Sequence, residues 1–403
     1  MNTNAHEEKP IMRTVRKNVG PEIDLLLLCA RTRMNDERAE RLSVLAAGRL
    51  DWDAMLHAAT RHGLMPLVYQ HLNRVCPAAV PSHVLGKLRE YQHRIAALNI
   101  FLAEELTNLV RILEAQAILV IAWKGPTLAL AGYGDLSLRQ FCDLDLIVRR
   151  GDVPRAAAIL EARGYQLTPA LNKAQQKFML RTGCNLPFTR HERRLIVELH
   201  WAVAAQHFAQ PFAPEVFLEH YRETVINGTS IKTLLPEDLL LSLCVHGAKH
   251  LWERLSWLAD VSELMAAEKN LNWQQLISSA RHSGCERLLF LGLRLAQKLL
   301  GVALPSEVEK AIKQEPGVET LTDEISARLL TEDDQRRGVP GLLSQIIFQL
   351  KARRRIKDKI KYLRFVVSPT DEDLRLFNLP QPLTPFYYLL RPARMLVTGG
   401  PRH

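Results

Sequence analysis

The chain of 403 residues is 47% apolar, enough for two or three packed domains of ordinary size. Its 53 Lys and Arg against 43 Asp and Glu give a formal net charge of +10, a balance that favours acidic or phosphate-bearing partners. The six cysteines (Cys29, Cys76, Cys142, Cys184, Cys244 and Cys285) are scattered without a CxxC pair, which argues against a zinc cluster or a disulfide framework and for a reduced, cytoplasmic protein.

Residues 1–20 lack the apolar stretch of a secretory signal and read as a disordered leader. From 21 to 117 apolar residues recur at three- and four-residue spacing, with Pro and Gly at the breaks, so this region is expected to be helical throughout. Apolar runs such as AILVIAW (117–123) are far shorter than the roughly 20 residues that span a bilayer, so no transmembrane segment is expected.

The middle of the chain, 118–235, changes character. The β-branched run at 118–123 predicts a strand, followed by a short helix over about 125–132 and a second strand over about 142–149. Asp152 and Pro154 open a helix that ends near Gly164, and a further strand begins at 164–167. NLPFTR (185–190) and RLIVELHW (194–201) flank a polar turn, 191–193, and predict a hairpin. A mixed sheet with helices on it is the economical arrangement.

From Pro236 the pattern is helical again, with acids in the first turn, and a basic helical tail occupies 331–403. Eight Lys or Arg and one acid, Asp358, lie between Lys351 and Arg364. This run reads either as a solvated helix face or as a contact for an anionic polymer or membrane surface. LDWDAMLHAATRHG (50–63) and LNWQQLISSARHSG (271–284) echo one another. Two copies are too few for a solenoid, and shared helix-entry chemistry explains them equally well.

The second strand of the middle region carries Asp143 and Asp145, which side-chain alternation puts on one face while Leu144, Leu146 and Val148 face a core. Two such carboxylates repel unless a cation lies between them, and Mg²⁺ shared with substrate phosphates is the natural candidate. Such pairs also occur at exposed strand ends with no role. Glu198 is placed to supply a third acid from a neighbouring strand, sharing a face with Ile196 and His200.

In order, KGPTLAL (124–130), R-x-x-x-D-L-D-L-I-V (139–148), VELHW (197–201) and HGAKHLWERLSWLADVSELM (246–265) resemble the uncharacterised nucleotidyltransferase-like family related to the DNA polymerase β superfamily. The resemblance covers roughly residues 40 to 270, and YLLRPAR (388–394) is similar too. It implies an α+β, mostly helical protein: a small mixed-sheet nucleotidyltransferase core (118–235) flanked by N-terminal (21–117) and C-terminal (236–330) helical regions. Members are often associated with polysaccharide biosynthesis. By the resemblance, Asp143, Asp145 and Glu198 ligate Mg²⁺ or Mn²⁺, and Glu198 orients or deprotonates an acceptor hydroxyl. Gly125 admits backbone N–H groups to the phosphates, and Lys124 and Arg139 neutralise the triphosphate. Two positions depart from the superfamily pattern. Lys-Gly-Pro replaces the usual Gly-Ser loop, and Glu replaces the more usual third Asp.

If the helix after Pro236 is unbroken, His246, His250, Glu253, Trp257 and Asp260 share an arc of about 80°, with Lys249 beside them. A metal site, nucleotide or acceptor contact through His246, Lys249 and His250, and structural hydrogen bonding all remain open. The expected function is a Mg²⁺-dependent transfer of a nucleoside monophosphate from an NTP to a hydroxyl acceptor, a small molecule or glycan precursor. The alternative is a non-catalytic nucleotide- or protein-binding member, which the two departures favour.

Overall fold

The computed structural model describes residues 19–190, 195–203, 214–330 and 341–368, with Phe386, Tyr388, Leu390 and Arg391. Most of the expected leader, the hairpin turn at 191–193 and much of the basic tail, including most of the 388–394 motif, lie outside the described residues.

Helices α1 (Pro21–Cys29), α2 (Asp36–Ala47), α3 (Trp52–His62), α4 (Met65–Val75) and the long α5 (Ser82–Ala115) precede the sheet. Next come β1 (Val120–Ala122), the single turn α6 (Gly125–Leu128), β2 (Asp143–Val148), α7 (Val153–Ala162) and β3 (Gln166–Leu167). These are followed by α8 (Lys173–Thr182), β4 (Asn185–Arg190), β5 (Leu195–His200), α9 (Pro214–Glu219), β6 (Tyr221–Ile226) and β7 (Thr229–Leu234). The chain then continues through α10 (Pro236–Lys249), α11 (Leu255–Ala267), α12 (Trp273–Ser283) and α13 (Glu286–Leu300). Helices α14 (Ser306–Gln314), α15 (Val318–Leu330), α16 (Leu342–Lys351) and α17 (Ile356–Val366) complete the described α-helices and strands. The protein is mostly helical α+β, as expected.

The five-stranded sheet runs β1-β2-β5-β4-β3. Strands β2 and β5 are parallel, and its other pairings are antiparallel. Alternation divides the sheet between two cores. Val120, Ala122, Leu144, Leu146, Val148, Val197 and Leu199 meet the second half of α5 (Leu102–Leu113) and α7 on one face. Ile121, Trp123 and Ile147 point the other way, into a larger core shared by α1–α4 and α10–α15. The amino- and carboxyl-terminal helices thus close over one face of the sheet together. The acids of β2 lie on that covered face.

Helices α8 and α9 and strands β6 and β7 were not anticipated. Asn172 and Gln175 form a reciprocal capping box that opens α8. Strands β6 and β7 pair through Asn227-Gly228, both at positive φ (48° and 71°), the dipeptide favoured in two-residue hairpin turns. The echo between 50–63 and 271–284 has a local cause. Asp51 and Asn272 accept the N–H of Ala54 and Gln275, and Gly63 and Gly284 close their helices in the left-handed conformation.

The unbroken helix over 236–267 is corrected. The chain leaves the helix at His250, and Leu251 and Trp252 both take φ of 55° before α11 starts. Burial of the Trp252 side chain accounts for the break. A Cβ on Gly247 would sit 2.5 Å from its ring and one on Gly292 2.9 Å from it, so the indole fills space that only glycine leaves open. His62 Nδ1 accepts the Leu255 N–H at 3.3 Å, capping the restarted helix.

Candidate active site

The parallel pairing of β2 with β5 sets Asp145 directly opposite Glu198, and Asp143 opposite Ile196. His200 follows Glu198 on the same face. Its Nε2 lies 2.9 Å from Asp145 Oδ1 and 3.1 Å from Glu198 Oε2. Asn185 on β4 donates to Glu198 Oε2 at 2.8 Å. One ligand atom each from Asp145, Glu198 and His200 falls within 4.8 Å of the others. Asp143 stands outside that trio. His200 is not among the site residues expected from the sequence, although its two-residue offset from Glu198 carries the signal.

Burial alone would raise the Asp145 carboxyl, but Lys124 and the hydrogen bond from His200 outweigh it and hold the group down at about 2. Asp143 behaves oppositely. Burial and the neighbouring Asp145 charge push it up to about 6 against the pull of Lys124. Glu198 is lowered because the His200 bond overcomes its burial. His200 is buried, which disfavours its charge, yet its carboxylate partners hold it well above the usual imidazole value. An imidazolium therefore bridges two carboxylates, while no donor among the described residues reaches the Asp143 side chain.

Lys124, directly after β1, extends its Nζ to 4.0 Å from Asp145 Oδ2 and 3.3 Å from His246 Nδ1. The ammonium also lies 4.1 Å from the Trp123 ring centroid. Burial, then the charge of Lys124, lowers His246 well below its usual value, so a neutral imidazole accepts from the lysine. Gly125 has φ of 52°, and a Cβ there would approach the Asp143 carbonyl to 3.3 Å. Its missing side chain lets the Lys-Gly-Pro turn sit against the start of β2.

Arg139 is drawn away from the acids. Its Nε and Nη2 donate to the two oxygens of Asp260 at 2.8 and 2.9 Å, and Tyr133 donates to the same carboxylate at 2.8 Å. Its Nη1 is buried and unpaired among the described residues. Asn99 holds the backbone here by donating to the carbonyls of Leu136 and Arg139. The rings of His246, His250 and Trp257 cluster with centroids 4.7 to 5.5 Å apart, across the helix break rather than along one helix. Lys249 is exposed.

The donor chemistry fits a divalent cation. The carboxylate oxygens of Asp145 and Glu198 suit Mg²⁺ or Mn²⁺, His200 could join them only as a neutral ring, and Asp143 is a half-buried acid that no hydrogen-bond donor among the described residues reaches. A family model described as an uncharacterised nucleotidyltransferase matches residues 48–301. The chain belongs to that family. Comparison with curated proteins finds no match. The residues singled out above as candidates from the sequence, Lys124 through His250, fall inside the span matched by the nucleotidyltransferase model, whereas α14 to α17 fall outside it.

Proposed function

We propose that this nucleotidyltransferase moves a nucleoside monophosphate from an NTP to a hydroxyl acceptor, a small molecule or glycan precursor, with Mg²⁺ or Mn²⁺. The observation that carries the reading is the register of Asp145 with Glu198 on parallel strands, two residues after Asp143. Asp143, Asp145 and Glu198 would hold the cations, with His200 as a further donor or as the group that aligns the two acids. The metals would supply positive charge at the phosphates, where charge develops during transfer.

The chain's own groups would do the rest. Glu198 orients the acceptor hydroxyl and takes its proton as oxygen attacks the α-phosphorus. The bond from that phosphorus to the bridging oxygen breaks, and pyrophosphate leaves. Lys124 lies beside Asp145, within reach of a phosphate held there. Arg139 has its buried Nη1 left to offer a ligand. His246, His250 and Lys249 would line the nucleotide's outer side, where the ring cluster with Trp257 gives a surface for a base.

The bridge made by His200 favours a second reading. An imidazolium and the Lys124 ammonium together already balance Asp145 and Glu198, as a nucleotide- or protein-binding member without catalysis would allow. Pyrophosphate release measured for each NTP with Mn²⁺ or Mg²⁺, across a panel of sugar and alcohol acceptors, separates the two. Release that Asp145→Asn abolishes supports transfer. Calorimetric NTP binding with no release from any acceptor supports the binding role.

A further inference from the structure

The basic run at 351–364 contains two kinds of cation. Lys351 pairs with Glu324 at 2.6 Å, and Arg354 with Glu315 and Glu286 at 2.9 and 3.4 Å. Arg355 donates to the carbonyls of Arg281 and His282. Arg353 is buried, with its guanidinium 4.3 Å from the Tyr362 ring centroid. Lys351, Arg354 and Arg355 fasten this segment to the helices before it, and Arg353 ties α17 to Gln349 of α16. Lys357, Lys359, Lys361 and Arg364 have no carboxylate partner among the described residues.

The same helix leaves an apolar stripe in water. Ile356, Ile360, Leu363 and Val367 are 75%, 46%, 45% and 43% exposed. At 100° per residue they fall within an arc of about 60°. Asp358 and Tyr362, the buried residues of α17, lie on the other side. Lys357 and Arg364 border the stripe on one flank and Lys359 on the other. On α16, which packs beside α17, Leu343 and Ile347 are 70% and 44% exposed, one turn apart. Single exposed aliphatics are ordinary, but a row of four on α17, with two more exposed on the helix packed beside it, marks a contact surface.

The cations identify the contact. A nucleic-acid groove would use the lysines but leave the aliphatic stripe in water. A protein partner could cover the stripe but gives no reason for unpaired cations on both flanks. An anionic lipid surface uses both: aliphatic side chains enter the boundary between headgroups and acyl chains, while flanking cations meet lipid phosphates. No helix of the described residues is long and apolar enough to cross a membrane, so such contact would lie along the surface.

We propose that α16 and α17 dock the protein on anionic lipid, with Ile356, Ile360, Leu363 and Val367 inserted and the flanking Lys357, Lys359 and Arg364 at the phosphates. This surface lies outside the span matched by the family model, so docking stands or falls separately from catalysis.

The test is sedimentation of the full chain with vesicles of phosphatidylcholine, alone or with about a third phosphatidylglycerol. The protein should pellet with the anionic vesicles, stay in solution with the neutral ones, and be released as salt rises. Replacing Lys357 and Lys359 with Gln should weaken binding about fivefold per cation removed. The triple variant Ile356→Ser, Ile360→Ser, Leu363→Ser should weaken it at least about tenfold, with the folded state confirmed by its circular dichroism spectrum at the assay temperature. Failure of the wild type to pellet with anionic vesicles overturns the proposal. So does undiminished binding by the triple variant. RNA binding that only the lysine changes affect, without vesicle binding, would reassign the face to nucleic acid. A wild-type dimer that the triple variant dissolves, again without vesicle binding, would make it a protein interface.

Discussion

At the sheet, Asp143, Asp145 and Glu198 gather like charge where water is scarce. On α17, Lys357, Lys359, Lys361 and Arg364 gather it at the surface. Two unit charges about 4 Å apart interact by about 1 kcal/mol in water and about 4 kcal/mol at the effective dielectric of a protein. The lysines therefore coexist with solvent as their counterion. The acids need partners from the chain itself, and Lys124 and His200 supply them to Asp145 and Glu198. Asp143 has no such hydrogen bond among the described residues, and its partial burial with the neighbouring Asp145 charge pushes its carboxyl up to about 6 while that of Asp145 is held at about 2. A half-buried acid that no hydrogen-bond donor reaches points to something that binds; an exposed charge does so only when, as on α17, its surroundings are wrong for water.

The largest effect expected from disturbing this contrast is on turnover. Asp143→Asn or Asp145→Asn should lower NTP turnover about 10²–10⁴-fold, the equivalent of several kcal/mol of lost charge stabilisation, with the circular dichroism spectrum unchanged. Wild-type turnover in either variant contradicts the role given to the pair. Next is Arg139, a buried cation whose partner is already present. Arg139→Ala strands Asp260 and should cost about 3–5 kcal/mol in urea denaturation; a loss below about 1 kcal/mol would mean that the pair is not needed by the fold.

A smaller effect is read from pH. His62 is buried, and its value is lowered from 6.5 to about 4. The folded protein keeps this ring neutral, whereas the unfolded chain takes a proton below pH 6.5. Stability is therefore full above 6.5 and falls as pH drops toward 4, by up to about 3 kcal/mol. His62→Gln should flatten that part of the profile, and an identical slope in the variant removes the assignment.

Asp143 has the opposite dependence. Its raised value means that the charged carboxylate costs stability increasingly as pH rises from 3.8 through about 6. In chelator at pH 8, Asp143→Asn should therefore unfold later than the wild type by about 1–3 kcal/mol, and added Mn²⁺ should reverse the order. At the surface, Lys359→Gln should change stability by less than about 0.5 kcal/mol. A larger loss would show that this lysine is not simply solvated.

Much of the fold was legible because periodicity records burial. Leu144, Leu146 and Val148 alternate with Asp143 and Asp145, and Leu195, Val197 and Leu199 alternate with Glu198. That pattern was enough to put the three acids on one face. The break after Lys249 was not legible, because its cause is a tertiary fit between Trp252 and two glycines, one of them 40 residues away at Gly292. The role of Arg139 in neutralising a triphosphate is implied by the family resemblance alone. The bond of its guanidinium to Asp260 depends on how α11 packs, which no local pattern encodes. The basic run likewise conceals that Lys351 and Arg354 are consumed by ion pairs. The β6–β7 hairpin, by contrast, had its signal in Asn227-Gly228.

The account turns on whether the acids of β2 and β5 hold a divalent cation, and electron paramagnetic resonance of Mn²⁺ measures this without requiring turnover. The wild-type protein should remove free Mn²⁺ from solution, more so with an NTP present, and Asp145→Asn should leave the free-ion signal undiminished. A wild-type protein that binds no Mn²⁺ with or without NTP, or an Asp145→Asn variant that binds it equally well, would contradict the assignment.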